Sequence, residues 1–226
     1  MTDIVVIEDI TMALATVSGT NAFNHAARRL LTCEDSIDGV IDALQLPNKV
    51  FKRYLHHHGY MKILRTPILL LDLNGTLCFR SDRRSIALRP GIQDLKKLKK
   101  YYRVGIYTSV TRHNAQIICD RIEDVCGHVF DKNLIFTREH TFPFTQQELE
   151  MYNYPEYKMK KSICNILAPE YAKVATIVDD EIERIVEKDR VVPIHSWNGE
   201  TSDRYLADTI DYLVKKAVNP ILEKVE

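Results

Sequence analysis

Apolar positions follow two regimes along this chain. Up to about residue 66 they recur at helical spacing. Phe23, Ala26, Leu30 and Leu31 form one set, and Ile37, Val40, Ile41 and Leu44 form the next. Ser36 predicts the N-cap of that second helix. Pro47 interrupts it, Asn48 predicts the cap of a further helix bearing Val50, Tyr54 and Leu55, and Gly59 marks its end. From Pro67 onward short apolar runs alternate with amphipathic stretches. "ILLLDL", "RVGIYTSV", "VATIVDDE" and "RVVPIHSW" predict strands. "GIQDLKKLKKYY", with Ile92, Leu95 and Leu98 inward, "RHNAQIICDRIE", "KKSICNILAPEY" and "DRYLADTIDYLVKKAV" predict helices. Such alternation predicts an α/β fold, a parallel sheet with helices on both faces. The expected organisation is a helical region over 1–66 and an α/β domain over 67–226, with an insertion at about 127–157.

Composition changes this picture little. The 226 residues suffice for a sizeable core without cross-links. Lys plus Arg and Asp plus Glu are 31 each, so the overall charge demands neither nucleic acid nor a membrane surface as partner. Five cysteines without a CxxC pair read as reduced thiols. Cys119, Cys126 and His128 match no standard zinc spacing. The first residues lack a signal-peptide pattern, and the apolar run Ile68–Leu71 is far too short to span a bilayer. The expected location is nuclear or cytoplasmic.

The candidate chemistry sits at strand ends. Ligands of α/β sheets bind where the strands' carboxyl ends converge. Asp72, Thr108 with Ser109, and Asp179 with Asp180 fall at three such ends. Clustered carboxylates call for a positive partner, and a hard cation such as magnesium prefers oxygen ligands. Gly75 allows a tight loop after Asp72. One of the lysines of "YKMKK" would complete a phosphate site around an aspartate nucleophile.

"DLNGTL" resembles the first motif of the haloacid dehalogenase superfamily, Asp-x-Asp-x-Thr. In order, "LLLDLNGTL", "LRPGIQDLKKL", "VGIYTSV", "FTREHTF", "TIVDDE" and "PIHSWNG" resemble the RNA polymerase II C-terminal-domain phosphatases, also called NLI-interacting-factor-like phosphatases. The resemblance covers about Pro67 to Ala217. It implies a haloacid-dehalogenase-like Rossmannoid sheet without a large cap, preceded here by the N-terminal helical extension. It implies Asp72 as nucleophile forming an aspartyl-phosphate, with Thr108 and Ser109 on the phosphoryl group. It further implies magnesium on Asp72, Asp179, Asp180 and the backbone carbonyl of Asn74. For the phosphate-binding lysine, Lys161 keeps the family's following apolar spacing, Lys158 follows a tyrosine, and Lys160 comes third. The implied substrate is phosphoserine or phosphothreonine in a protein, the polymerase tail being the class.

Asn74 departs from that pattern. An aspartate there would act as general acid and base, whereas an amide exchanges no proton in this range. Positioned acid–base help is typically worth about 10² to 10⁴ in rate. Three readings stand: a slowed phosphatase, a phosphoprotein-binding or regulatory module that has lost turnover, and an engineered Asp-to-Asn trap. The segment Cys78–Leu88 has room for a hairpin and not for a cap, so an open site favours a protein segment over a small metabolite. Phe142, Phe144 and Tyr152 of the insertion either line a peptide groove or form the insertion's own core. "SIDGVIDALQLPNKVFKRYLHHHGY" has the shape of a helix-turn-helix. Between Leu46 and Thr66 lie five bases, Lys49, Lys52, Arg53, Lys62 and Arg65, and no acid. That stretch either meets nucleic acid or carries its bases in solvent. Adjacent His56, His57 and His58 point apart on a helix, which argues against a shared metal.

Overall fold

The computed structural model describes residues 17–80, 85–155 and 158–222, with side chains placed for 21–218 within them. The expected helical character of residues 1–16, the hairpin tip at 81–84, and Glu156 and Tyr157 of the insertion lie outside the described residues. The chain divides into two compact units. One holds the residues up to Thr66 with Leu167–Glu170, and the other holds Pro67–Ile166 and the residues from Tyr171 onward.

The first unit contains α1 (Val17–Leu30), α2 (Ile37–Ala43), α3 (Asn48–His57) and α4 (Tyr60–Leu64). Ser36 caps α2, its hydroxyl accepting from the Gly39 amide at 2.8 Å. Asn48 falls inside the first turn of α3, and the cap position belongs to Pro47. The buried anchors of α3 are therefore Phe51, Tyr54 and Leu55, at i, i+3 and i+4, with Val50 only half-buried. Phe23 of α1 meets Phe51 and Tyr54 with ring centroids 5.5 and 5.3 Å apart. Leu44, expected inward, is exposed because α2 has already ended at Ala43.

The second unit is built on a five-stranded parallel sheet. Its strands are β1 (Ile68–Leu71), β4 (Arg103–Tyr107), β5 (Ile135–Phe136), β8 (Thr176–Asp179) and β9 (Val191–Pro193), in the order β5-β4-β1-β8-β9. β1 lies at the centre, and all four of its residues are buried, as a continuous apolar run in a parallel sheet requires. Leu71 pairs with Ile106 on one side and Val178 on the other. The ladder continues one step further, where the Asp72 amide donates to the Val178 carbonyl at 3.0 Å. Between β1 and its crossover stands the antiparallel hairpin β2 (Cys78–Arg80) and β3 (Ile86–Leu88).

One face of the sheet, with Leu69, Leu71, Val104, Ile106 and Val178, shares a core with three helical segments. These are α5 (Arg112–Cys126), the segment Ile92–Lys100 and, after the insertion's α6 (Gln146–Tyr152), the closing helix α7 (Tyr205–Leu222). Ile92–Lys100 was expected as an α-helix and is a 3₁₀ run instead. Its buried Ile92, Leu95 and Leu98 repeat every third residue, which aligns them on one edge at three residues per turn.

The expected helix over "KKSICNILAPEY" does not form. Lys161 is in extended pairing with Ile185, its amide donating to the Arg184 carbonyl at 2.8 Å and its carbonyl accepting from the Val186 amide at 3.0 Å. A single 3₁₀ turn, Ile163–Asn165, follows, and Pro169 begins a separate short helix. The apolar spacing of Ile163, Ile166 and Leu167 mimics a helix, but the backbone is committed elsewhere. In the insertion, β6 (Phe142–Pro143) pairs with β7 (Met159–Lys160), and Thr145 and Glu148 form a capping box on α6. Among the described residues no helix is long and apolar enough to cross a membrane.

Gly105, in the middle of β4, has no room for a side chain. A Cβ there would lie 2.4 Å from the Leu134 carbonyl oxygen and 2.6 Å from the Leu134 Cβ. Gly105→Ala is expected to destabilise the domain by about 1–3 kcal/mol through overpacking. Urea unfolding checks it, as a lowered midpoint at unchanged slope; an unchanged midpoint would mean that β5 yields freely.

Candidate active site

Three adjacent strands deliver the candidate residues to one end of the sheet. Asp72 follows β1, Thr108 follows β4, and Asp179 closes β8 with Asp180 next to it. The sheet holds them there: the Thr108 amide donates to the Phe136 carbonyl at 3.0 Å, and the Asp179 carbonyl accepts from the Ile194 amide at 3.2 Å. Asp72 and Asp179 are buried, Asp180 is half-buried, and oxygens of the three carboxylates lie within 4.8 Å of one another.

Lys161 joins two of them. Its buried ammonium is 2.6 Å from Asp72 Oδ1 and 2.6 Å from Asp179 Oδ2. Burial by itself disfavours this ammonium, but Asp179 and Asp72 outweigh it and hold its pKa above the ordinary lysine range. Burial, opposed by Lys161 and reinforced by Asp72, pushes the Asp179 carboxyl up. Burial likewise raises Asp180, against hydrogen bonds from Ser196 and Thr76. Three carboxylates stand together and one ammonium pairs with two of them, so the cluster is short of positive charge. Hard oxygen donors in excess of the paired ammonium fit a divalent cation such as magnesium.

The other lysines are committed elsewhere. Lys158 pairs with Glu181 and stands over the Tyr154 ring. Lys160 reaches both oxygens of Glu148 at 2.7 Å and stands 5.2 and 5.3 Å from the ring centroids of Phe142 and Phe144. Consecutive residues of an extended segment point to opposite sides, so Lys160 and Lys161 serve different partners. Phe144 is buried against Tyr152 and Tyr154, at 6.2 and 5.3 Å, which makes it part of the insertion's own core, while Tyr152 stays exposed.

Thr108 is fully buried, its hydroxyl accepting from the Val110 amide at 3.3 Å, and Ser109 beside it is half-buried. Asn74 is exposed, and its Oδ1 accepts from the Cys78 thiol at 3.5 Å. Burial, with the Asp72 charge adding to it, pushes that thiol up to about 12, so Cys78 holds its proton at neutral pH. Gly75 is left-handed (φ 82°), and a Cβ on it would lie 2.2 Å from Asp180 Oδ2. Only glycine satisfies both the conformation and the approach.

Arg89 is a residue whose role the sequence did not disclose. It is almost fully buried, and its guanidinium donates to Asp203, to the carbonyls of Gly75 and Thr76, and to the carbonyl of His195. The only available signal was the "RPG" triplet, which carries no information about partners more than a hundred residues away. The Arg89 hydrogen bonds hold the Asp203 carboxyl below its usual range. The contribution of that pair is complete at neutral pH and is lost only as pH falls through the lowered value.

Removing the ammonium tests how far the cluster depends on it. Lys161→Met is expected to destabilise the cation-free protein at neutral pH by about 3–5 kcal/mol, the cost of leaving buried charges unpaired. Chemical denaturation measures it, and a loss below about 1 kcal/mol would show that the carboxylates neutralise themselves by taking protons.

The chain has structural likenesses of low identity. One is fission yeast Fcp1, an RNA polymerase II CTD phosphatase, in a variant bound to beryllium fluoride, with 13% identity and a TM-score of 0.44 over 75% of this chain and 52% of that one. Another is a structure of Fcp1 described as an essential RNA polymerase II CTD phosphatase, with 14% identity and a TM-score of 0.46 over the same shares. The chain thus spans about half the length of these proteins. No curated protein matches it significantly. Residues 67–224, the α/β unit almost end to end, match the family described as NLI interacting factor-like phosphatase. The chain that carries this aspartate–lysine cluster belongs to the NLI interacting factor-like phosphatase family.

Proposed function

We propose that this chain is a magnesium-dependent protein phosphatase acting on phosphoserine or phosphothreonine through an aspartyl-phosphate on Asp72, and that Asn74 slows it. The observation that carries the reading is the Lys161 ammonium held between Asp72 and Asp179, with Asp180 alongside. Asp72, Asp179, Asp180 and the Asn74 carbonyl would hold magnesium, which supplies positive charge against the phosphoryl oxygens. Thr108, Ser109 and Lys161 bind and orient those oxygens. The carboxylate of Asp72 then forms its bond to phosphorus as the bond to the serine oxygen breaks, and water later attacks that phosphorus, breaking its bond to Asp72 and releasing inorganic phosphate and the free carboxylate. Positioning and charge stabilisation supply most of the catalysis in phosphoryl transfer. The departing serine oxygen needs a proton, and the later water must lose one. Asn74 does neither, and Cys78 beside it retains its proton.

A short hairpin, rather than a cap, follows Asp72, which suits an extended protein segment. The polymerase II C-terminal domain, named as the target of fission yeast Fcp1, is the candidate. Asn74→Asp is expected to release phosphate from a phosphoserine heptad peptide with magnesium faster by about 10² or more. The unaltered chain is expected to favour aryl phosphate, whose leaving group needs little proton help. Equal inactivity of both proteins toward both substrates, with fold and cation binding intact, would replace the phosphatase by a phosphoprotein-binding module.

A second reading concerns the first unit. The exposed positions of α3 are Asn48, Lys49, Lys52, Arg53, His56 and His57, all polar and none acidic. Among the described residues only Lys52 has an acidic partner there, Asp38 at 2.7 Å. We propose that this face contacts duplex nucleic acid in the manner of a recognition helix. Binding is expected to weaken about tenfold or more between about 50 and 200 mM salt, as two or more phosphate contacts require. Fluorescence anisotropy with a labelled duplex checks it, using Lys49→Glu with Arg53→Glu as the variant. No binding at low salt would end this reading.

A further inference from the structure

Of the three carboxylates among the candidate cation ligands, two are fixed by the sheet and one is not. Asp72 and Asp179 both stand in the strand ladder. Asp180 lies one residue beyond β8. Its carboxylate is held by two loops: Thr76 donates to its Oδ1 at 3.1 Å, Gly75 presses against it, and the Ser196 side chain hydrogen-bonds to it. Those loops are tied to each other, the Trp197 amide donating to the Gly75 carbonyl at 2.8 Å.

Both loops also hang on one guanidinium. Arg89 Nη1 donates to the Gly75 and Thr76 carbonyls at 3.1 Å each, and Nη2 donates to the His195 carbonyl at 2.7 Å. Asp203 takes Nε and Nη2 at 2.8 Å each. These contacts use all five donors of an arginine, and a lysine offers three, without the planar fork. Among the described residues, the Arg89 hydrogen bonds go to Asp203 and to the carbonyls of Gly75, Thr76 and His195, none of which is a candidate ligand. Arg89 acts on Asp180 through the two peptide segments that surround that carboxylate.

We infer that Arg89, locked by Asp203, is a positioning residue that sets Asp180 for the divalent cation. The inference rests on the phosphatase reading only in taking Asp180 as a cation ligand. Outer residues that orient metal ligands typically change affinity by about 10- to 100-fold when altered. A cross-link that merely stabilised the fold would leave cation affinity unchanged in any variant that still folds.

The probe is Mn²⁺ alone, with free ion counted by electron paramagnetic resonance. Arg89→Lys and Asp203→Asn are each expected to weaken Mn²⁺ binding by about tenfold or more relative to the unaltered protein. Ser196→Ala, on an exposed residue, is expected to weaken it less, because Thr76 and Gly75 remain. Folded variants with lower thermal stability and unchanged Mn²⁺ affinity would overturn the inference. Failure of the unaltered protein to bind Mn²⁺ would instead overturn the cation reading of the three aspartates. Should neither Arg89→Lys nor Asp203→Asn fold, the unaltered protein still gives an answer. Coupling is reciprocal, so the cation should slow hydrogen exchange at the Trp197 amide, which donates to Gly75. Exchange there that ignores the cation would refute the link between the Arg89 staple and the site.

Discussion

The centre of this molecule is an ammonium group buried between two carboxylates. Lys161 meets Asp72 and Asp179 at 2.6 Å each, and much of the surrounding architecture brings those three groups together. The central strand β1 aims Asp72, its neighbour β8 aims Asp179, and an extended pairing with Ile185 delivers the lysine. Burying such charges is costly unless each is paired, so the arrangement constrains the sheet register as well as the site. A one-residue slip of β1 against β8 would move Asp72 to the other side of its strand and leave the lysine with one partner.

Around this cluster lies a layer of polar contacts that the hydrophobic core does not supply. Tyr107, at the end of β4, accepts from the Ser162 amide at 3.1 Å and donates to the His140 carbonyl at 3.0 Å. Glu187 accepts from the Ser162 hydroxyl and from the Ile163 and Cys164 amides. These bonds hold the segment of Lys161 from its C-terminal side, much as Arg89 holds the Gly75 loop. Short irregular segments with satisfied backbone groups, rather than long helices, thus complete what the strand ends begin. That arrangement costs little because the apolar sheet beneath is already rigid.

Asn74 gives the proposed chemistry its asymmetry. The groups suited to accepting a phosphoryl group are charged and already convergent. The position expected to move protons is an exposed amide next to a thiol that keeps its own proton. On the phosphatase reading proposed above, such a site would be equipped for charge and positioning and poorly equipped for proton transfer, so that leaving-group chemistry would govern its turnover.

The order of strands and crossovers was legible because parallel strands buried on both faces read as short apolar runs, as the unbroken Ile68–Leu71 does and as Ile177 and Val178 do ahead of Asp179. The aspartates and Thr108 were legible for the same reason, as polar residues standing where those runs stop. The closing helix and α5 announced themselves by period. Four features were not legible. The 3₁₀ geometry of Ile92–Lys100 differs from an α-helix by a fraction of a residue per turn, which a short apolar pattern does not resolve. The segment after Lys160 has helical spacing but spends its backbone bonds on residues some twenty positions later. The choice among Lys158, Lys160 and Lys161 depends on which side of an extended strand faces the sheet, and Arg89 depends on Gly75, His195 and Asp203 arriving together. Local pattern determined which elements form and where their polar ends fall, because burial of apolar area is a property of each short stretch. Partnership among charged side chains was decided only in three dimensions, because a carboxylate or an ammonium is stabilised by whatever the fold brings within about 3 Å of it, wherever that lies along the chain.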